Sequence, residues 1–333
     1  MKEKTEAQRL QFVPAITALL IGLIMFALTL FRYIYPAFEL FNKQSSSRII
    51  VLRQIIHFGV IPLVIFSLIL LIYKPSSFLI SQRKNTFLTV ISAFLLGIIS
   101  AFSYYVVIEL FNRLNWIDQV NTYLPKSLTI LQSFLPASGI KIISTLVFSV
   151  LLPTVTLIPL FLGLFLSPLL GSGRKFLSIT FTCLLGALMP LDSTGIYAYL
   201  LLWILLSRIY TAGSGLIATA FSCCGYLVTL MYSPLIFAQL NNQFIAWQSS
   251  SELQGTLLVF ALLLIVLILG LPGIFYFNIL DRNQRRKHLS LSLQPHISKH
   301  LEKTENRSAA SWVLIAIGLI LLLAALVLNH FIY

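Results

Sequence analysis

The sequence predicts an all-α, polytopic integral membrane protein with about nine transmembrane helices, on three observations. Hydrophobic residues make up 58% of the 333 and charged residues only 10%, with a mean hydropathy of +0.92, far more apolar surface than a soluble core requires. The apolar residues fall in runs matched to a hydrocarbon layer of about 30 Å, which takes about 20 residues of helix because no water is there to satisfy the backbone. The basic residues also sort by side. With the N-terminus inside, sixteen of the twenty-three lysines and arginines fall in inner segments, as a positive-inside bias expects. The net charge of +13 is therefore read as a topology signal, and a nucleic-acid partner is not expected.

The nine candidate segments are 12–31, 54–73, 86–112, 142–170, 176–190, 194–207, 213–233, 256–278 and 311–330. The first follows a basic, polar stretch and lacks a small-x-small cleavage site, so it reads as a retained anchor. It ends in an aromatic cluster, Phe31, Tyr33, Tyr35 and Phe38, at the depth where amphipathic rings settle. The second opens with Arg53, Gln54 and His57. His57 lies one turn from the loop, which favours hydrogen bonding at the interface over proton transfer.

The third segment carries Glu109 four residues before Arg113, a spacing that places both on one helical face and predicts a local ion pair. Residues 115–136 alternate apolar and polar side chains and read as broken amphipathic helices along the membrane surface. Segments 176–190 and 194–207 are short for full crossings and read as a tight hairpin. Between them, Asp192 precedes Ser193 and Thr194 and reads as a helix N-cap.

The eighth segment ends in GLPGIFYF, where glycine and proline are expected to bend or stop it. A basic inner stretch follows. Its Arg285-Arg286-Lys287 run is of the kind that rests on anionic headgroups. His296 and His300 are four apart and could share a helix face, but two histidines without a third ligand are a weak metal motif. Cys183, Cys223 and Cys224 all lie in apolar segments and read as packing residues. No cofactor or metal is expected.

The succession from Lys84 onward organises the rest: a basic turn, a long helix, a polar stretch, a proline-led helix at Pro153, a fold-back at Gly171, a short helix ending in GALMPLD, and a Gly-Ser-Gly entry at Gly213 into another helix. This layout, over roughly residues 74–278, resembles the CAAX-protease and bacteriocin-processing (CPBP, or Abi) family of intramembrane proteases. The resemblance implies a CPBP-like core at 74–278, flanked by a two-helix region at 1–73, a basic cytoplasmic linker at 279–310 and a closing helix at 311–333. A bacterial cell membrane is the expected location, and the charge bias with nine crossings puts the N-terminus in the cytoplasm and the C-terminus outside.

The family's catalytic motifs do not carry over. With Pro153 as anchor, its Glu-Glu-x-x-x-Arg motif falls on Thr156, Leu157 and Phe161. Its Phe-x-x-x-His motif ends near Met189 or Pro190, and its His-x-x-x-Asn/Asp motif falls on Ser222 and Tyr226. From Gln119 to Ser251 the only carboxylate is Asp192, and from Gly59 to Lys287 there is no histidine. Hydrolysis needs a placed general base or a metal that acidifies water, so the region lacks the groups for it.

The expected function is a non-catalytic CPBP-like protein that binds a membrane peptide, a lipidated chain or a membrane-protein partner within the bilayer. Helices 142–170, 176–190 and 213–233 are expected to surround its cavity. Two alternatives stand beside it: an active intramembrane endopeptidase with displaced residues, for which His57, Glu109 and Asp192 are the ionisable candidates, and a permease for a hydrophobic substrate.

Overall fold

The computed structural model describes residues 2–34, 55–73, 86–117, 120–125, 143, 146–170, 174–247, 252–292 and 309–332. Among these there is no strand. The helices are α1 (Lys2–Ile34), α2 (55–73, opening with a π-helical turn at Ile55–Val60), α3 (Phe87–Arg113), α4 (Val147–Leu170), α5 (Lys175–Leu188), α6 (Ile196–Ile209), α7 (Gly215–Trp247), α8 (Glu252–Ser292) and α9 (Ala309–Ile332).

Seven helical runs among the described residues are long and apolar enough to cross a membrane: Phe12–Ile34, Ile55–Ile72, Phe87–Arg113, Val147–Leu170, Ile196–Gln239, Val259–Asn283 and Ser311–Asn329. The chain is thus a multi-pass helical membrane protein, with seven such runs among the described residues where nine segments are expected. Segment 176–190 becomes α5, whose 14 residues rise only about 21 Å. Segments 194–207 and 213–233 form two helices, α6 and α7, that fold back on each other across a bend at Tyr210–Ser214, so that Tyr226 reaches the Ala198 carbonyl. The bend is made by glycine, since Gly213 and Gly215 take φ of 95° and 72°, values that a side chain disfavours.

Two further expectations are corrected. Gly270 and Gly273 do not end the eighth helix, which runs through Pro272 to Ser292. Their missing side chains instead let α8 approach Ile99 and Leu96 of α3. Asp192 is not a helix N-cap either: α6 is capped at Gly195, without a side-chain bond. The surface helices expected over 115–136 are described only in part, as a short 3-10 turn at Val120–Tyr123.

The chain forms two compact units. The first comprises Met1–Arg83, Leu152–Ser193 and Arg282–Tyr333. Its principal pair is α1 with α9, in contact where Gly22 faces Gly318: a Cβ on Gly22 would stand 2.4 Å from the Gly318 carbonyl oxygen, and one on Gly318 2.4 Å from that of Ala18. Lipid tails are as apolar as leucine, so helices in a bilayer adhere through such close backbone approach rather than by hiding apolar surface. The remainder of α4 in this unit is almost wholly buried, from Leu160 through Leu166.

The second unit comprises Lys84–Leu151 and Thr194–Asp281. Here α3 lies along α7. The pairing runs parallel: Gly97 and Gly225 meet the partner backbone early in both helices, and further along both the Tyr105 ring lies 5.7 Å from that of Phe237. Ala93, Leu96, Ile209, Ala212, Ala218 and Phe277 form the buried cluster that adds α6 and α8 to this pair. Polar ties reinforce it, with the Thr89 and Tyr276 hydroxyls 2.8 Å apart and Arg208 donating to Asn278 Oδ1 at 2.6 Å.

Candidate functional site

A polar constellation lies in the first unit, around the turn that follows α5. Helix α5 ends at Met189, and Leu191 turns the chain with φ 51°, a left-handed conformation uncommon for a residue with a side chain. The last carbonyls of a helix have no partner within it, and in a membrane water does not supply one. Side chains from other helices supply it here.

His57, on the π-helical opening of α2, donates from Nε2 to the Met189 carbonyl at 2.9 Å. From the far end of α9, Asn329 Nδ2 donates to the Leu191 carbonyl at 2.7 Å, while its Oδ1 accepts from Arg32 Nη1 of α1 at 2.9 Å. Four helices are thereby tied to one turn. The π-helical turn is itself held from α4: the Thr156 hydroxyl donates to the carbonyl of Phe58 and to that of Leu152.

This places the sequence candidates. Thr156, Leu157 and Phe161 are buried in α4, with the one hydroxyl among them engaged by backbone carbonyls. Pro190 sits in the clasped turn beside half-buried Asp192. Ser222 and Tyr226 belong to the second unit, where the Ser222 backbone is packed against Gly97 and the Tyr226 hydroxyl donates to the Ala198 carbonyl at 2.8 Å. The expected gathering of these positions around one cavity is therefore not seen within either unit. Thr156, Leu157, Phe161, Ser222 and Tyr226 are buried, the Ser222 hydroxyl without a hydrogen-bond partner, and Pro190 is half-buried.

The ionisable candidates fall in different units. His57 is in the first, where its ring donates to the Met189 carbonyl. Glu109 is in the second, paired with Arg113 at 3.3 Å as the spacing required. Cys183 and Cys223 are buried and Cys224 is half-buried. Among the described residues no three His, Cys, Asp or Glu side chains are grouped as metal ligands. His296 and His300 lie outside the described residues.

Sequence reading missed Asn329 and Arg32, the members that complete the clasp. A signal existed, since an asparagine closing an apolar run has four hydrogen-bonding sites to satisfy. Replacing His57 by Phe, or Asn329 by Leu, is expected to leave a turn carbonyl without its donor and to cost about 1–3 kcal/mol. Thermal unfolding in detergent measures it, with His57→Gln recovering part of the loss.

What the arrangement does chemically is hold a backbone turn. Its donors point at carbonyls that must be satisfied, and no nucleophile stands among them.

No protein-family model, no curated protein and no solved structure matches this chain.

Proposed function

We propose that the protein is a non-catalytic multi-pass membrane protein, CPBP-like in layout, that binds a lipidated chain or a membrane peptide without cutting it. One observation supports this above the others: Thr156, His57, Asn329 and Tyr226, all in or at the ends of the spans, join helices through backbone carbonyls. A hydrolase would instead keep a base within reach of a water or nucleophile. The positions where the family's acid and base would fall carry Thr156, Leu157, Phe161, Pro190, Ser222 and Tyr226, none of which titrates near neutral pH.

The test is a fluorescent farnesylated peptide added to the purified protein in nanodiscs. The expected result is saturable binding, weaker for the peptide without its lipid, and no cleavage above a protein-free control. Cleavage that disappears in His57→Ala or Glu109→Gln would establish the displaced-residue protease in its place. Flux of a hydrophobic substrate in vesicles containing this protein alone would establish the permease.

A further inference from the structure

The opening turns of α2 and α4 share a construction and end differently. In α2 the π-helical turn Ile55–Val60 runs into Pro62, which has no N–H for the carbonyls of His57 and Phe58, five and four residues before it. The Thr156 hydroxyl meets that need by donating to Phe58. In α4 the π-helical turn Val147–Leu151 runs into Pro153, which likewise gives no N–H to the carbonyls of Phe148 and Ser149. The hydroxyl at hand here is that of Ser149 itself, yet it has no hydrogen-bond partner although the residue is only 6% exposed. Other buried hydroxyls of the spans take the carbonyl four residues back, as Thr17, Thr29, Thr182 and Ser233 do. A buried hydroxyl without a partner costs free energy that alanine would avoid. The turn packs on α7 within the second unit, and Val147 and Leu151, on the side of the turn away from Ser149, are exposed.

We propose that the opening turn of α4, through Ser149, is where the protein holds a backbone amide of its bound chain. The inference rests on the reading that a membrane peptide or lipidated chain is bound, and it names the part of that chain that is recognised. A peptide group carries one N–H donor and one C=O acceptor, both of which need partners where there is no water. The Ser149 hydroxyl can accept and donate at once, and the carbonyls that Pro153 leaves without its N–H add acceptors beside it. An anion is poorly matched, because carbonyls offer it no donor. A hard cation takes about six oxygens or more, and the turn brings three. Ser222, the other buried hydroxyl without a partner among the described residues, is not equivalent, since its backbone is closed against Gly97.

The test compares the farnesylated peptide with an analogue N-methylated at its backbone amides, on the full-length protein in nanodiscs. N-methylation removes the donors and keeps the lipid. The wild type is expected to bind the analogue about tenfold more weakly, the worth of roughly one hydrogen bond. Ser149→Ala is expected to bind both peptides alike, at the analogue's level. Its unfolding temperature without peptide is expected not to fall, because the hydroxyl removed has no partner to lose. Pro153→Ala, which returns an N–H to the helix, is the second variant and narrows the difference between the peptides. Saturable binding by the wild type with no preference between them, or the full preference retained in Ser149→Ala, overturns the amide site and leaves the proposed function standing. Failure of the wild type to bind either peptide overturns both. A lowered unfolding temperature in Ser149→Ala also overturns the site, since it would give the hydroxyl a structural role.

Discussion

Gly97→Leu is expected to prevent the second unit from assembling, and Gly97→Ala to weaken it severely. A Cβ at this position would stand 2.2 Å from the Ser222 carbonyl oxygen and 3.1 Å from the Tyr226 nitrogen. All of the atoms met are backbone atoms of α7, which no rotamer change can move. Gly225 repeats the constraint from the other helix, its Cβ falling 2.6 Å from the Phe94 carbonyl oxygen. Overpacking a core ordinarily costs 1–3 kcal/mol; where two helix backbones must part along their seam, the loss is put at about 3 kcal/mol or more, even for alanine. Gly270→Ala is the control, because its Cβ would meet no backbone but only the Ile99 Cγ2 methyl, at 3.2 Å, and it is expected to stay within about 1 kcal/mol. Yield of monodisperse protein and its unfolding temperature in detergent read both.

Arg208→Ala is the second large effect. Arg208 closes α6, where a positive charge suits the helix dipole; it donates to Asn278 and lies 3.6 Å from Asp281, whose side chain is only 7% exposed. Removing the arginine leaves a buried carboxylate without its cation, a change that costs about 3–5 kcal/mol in a dry site. The guanidinium is 46% exposed, so solvent reaches the pair and about 2 kcal/mol is the better expectation. Asp281→Asn in the Arg208→Ala background is expected to recover more than half of it, because an uncharged amide no longer needs the cation. A double-mutant cycle on unfolding temperature decides this, and additivity of the two changes would count against a coupled pair.

The helices themselves were legible because hydrophobicity and length report directly on the bilayer. Local relations were legible too, as the Glu109–Arg113 pair shows, since an i, i+4 spacing acts through helix geometry alone. What the sequence left open depends on distant partners. Glycines at 270 and 273 read as breakers, but within α8 they serve close packing against Leu96 and Ile99. Nothing in the GLPGIFYF string distinguishes those uses without the neighbour. The clasp on the 189–193 turn is of the same kind: His57 could be assigned a hydrogen bond from its depth, but its acceptor lies 132 residues away at Met189. Asp192 looked like a cap from the Ser-Thr that follow it, yet the chain takes two further residues of turn and enters α6 at Gly195.

The pairing of α1 with α9 bears on biogenesis. Gly22 and Gly318 are separated by 296 residues (318 − 22), so at roughly 5–20 residues per second a ribosome takes about 15–60 s between them. Throughout that interval the earliest helix waits in the bilayer with its notch vacant, open to any neighbouring nascent segment with a small-residue face. Completion of the first unit is thereby deferred until the late helix arrives, which makes the waiting period the stage at which membrane chaperones or wrong partners have the most to act upon.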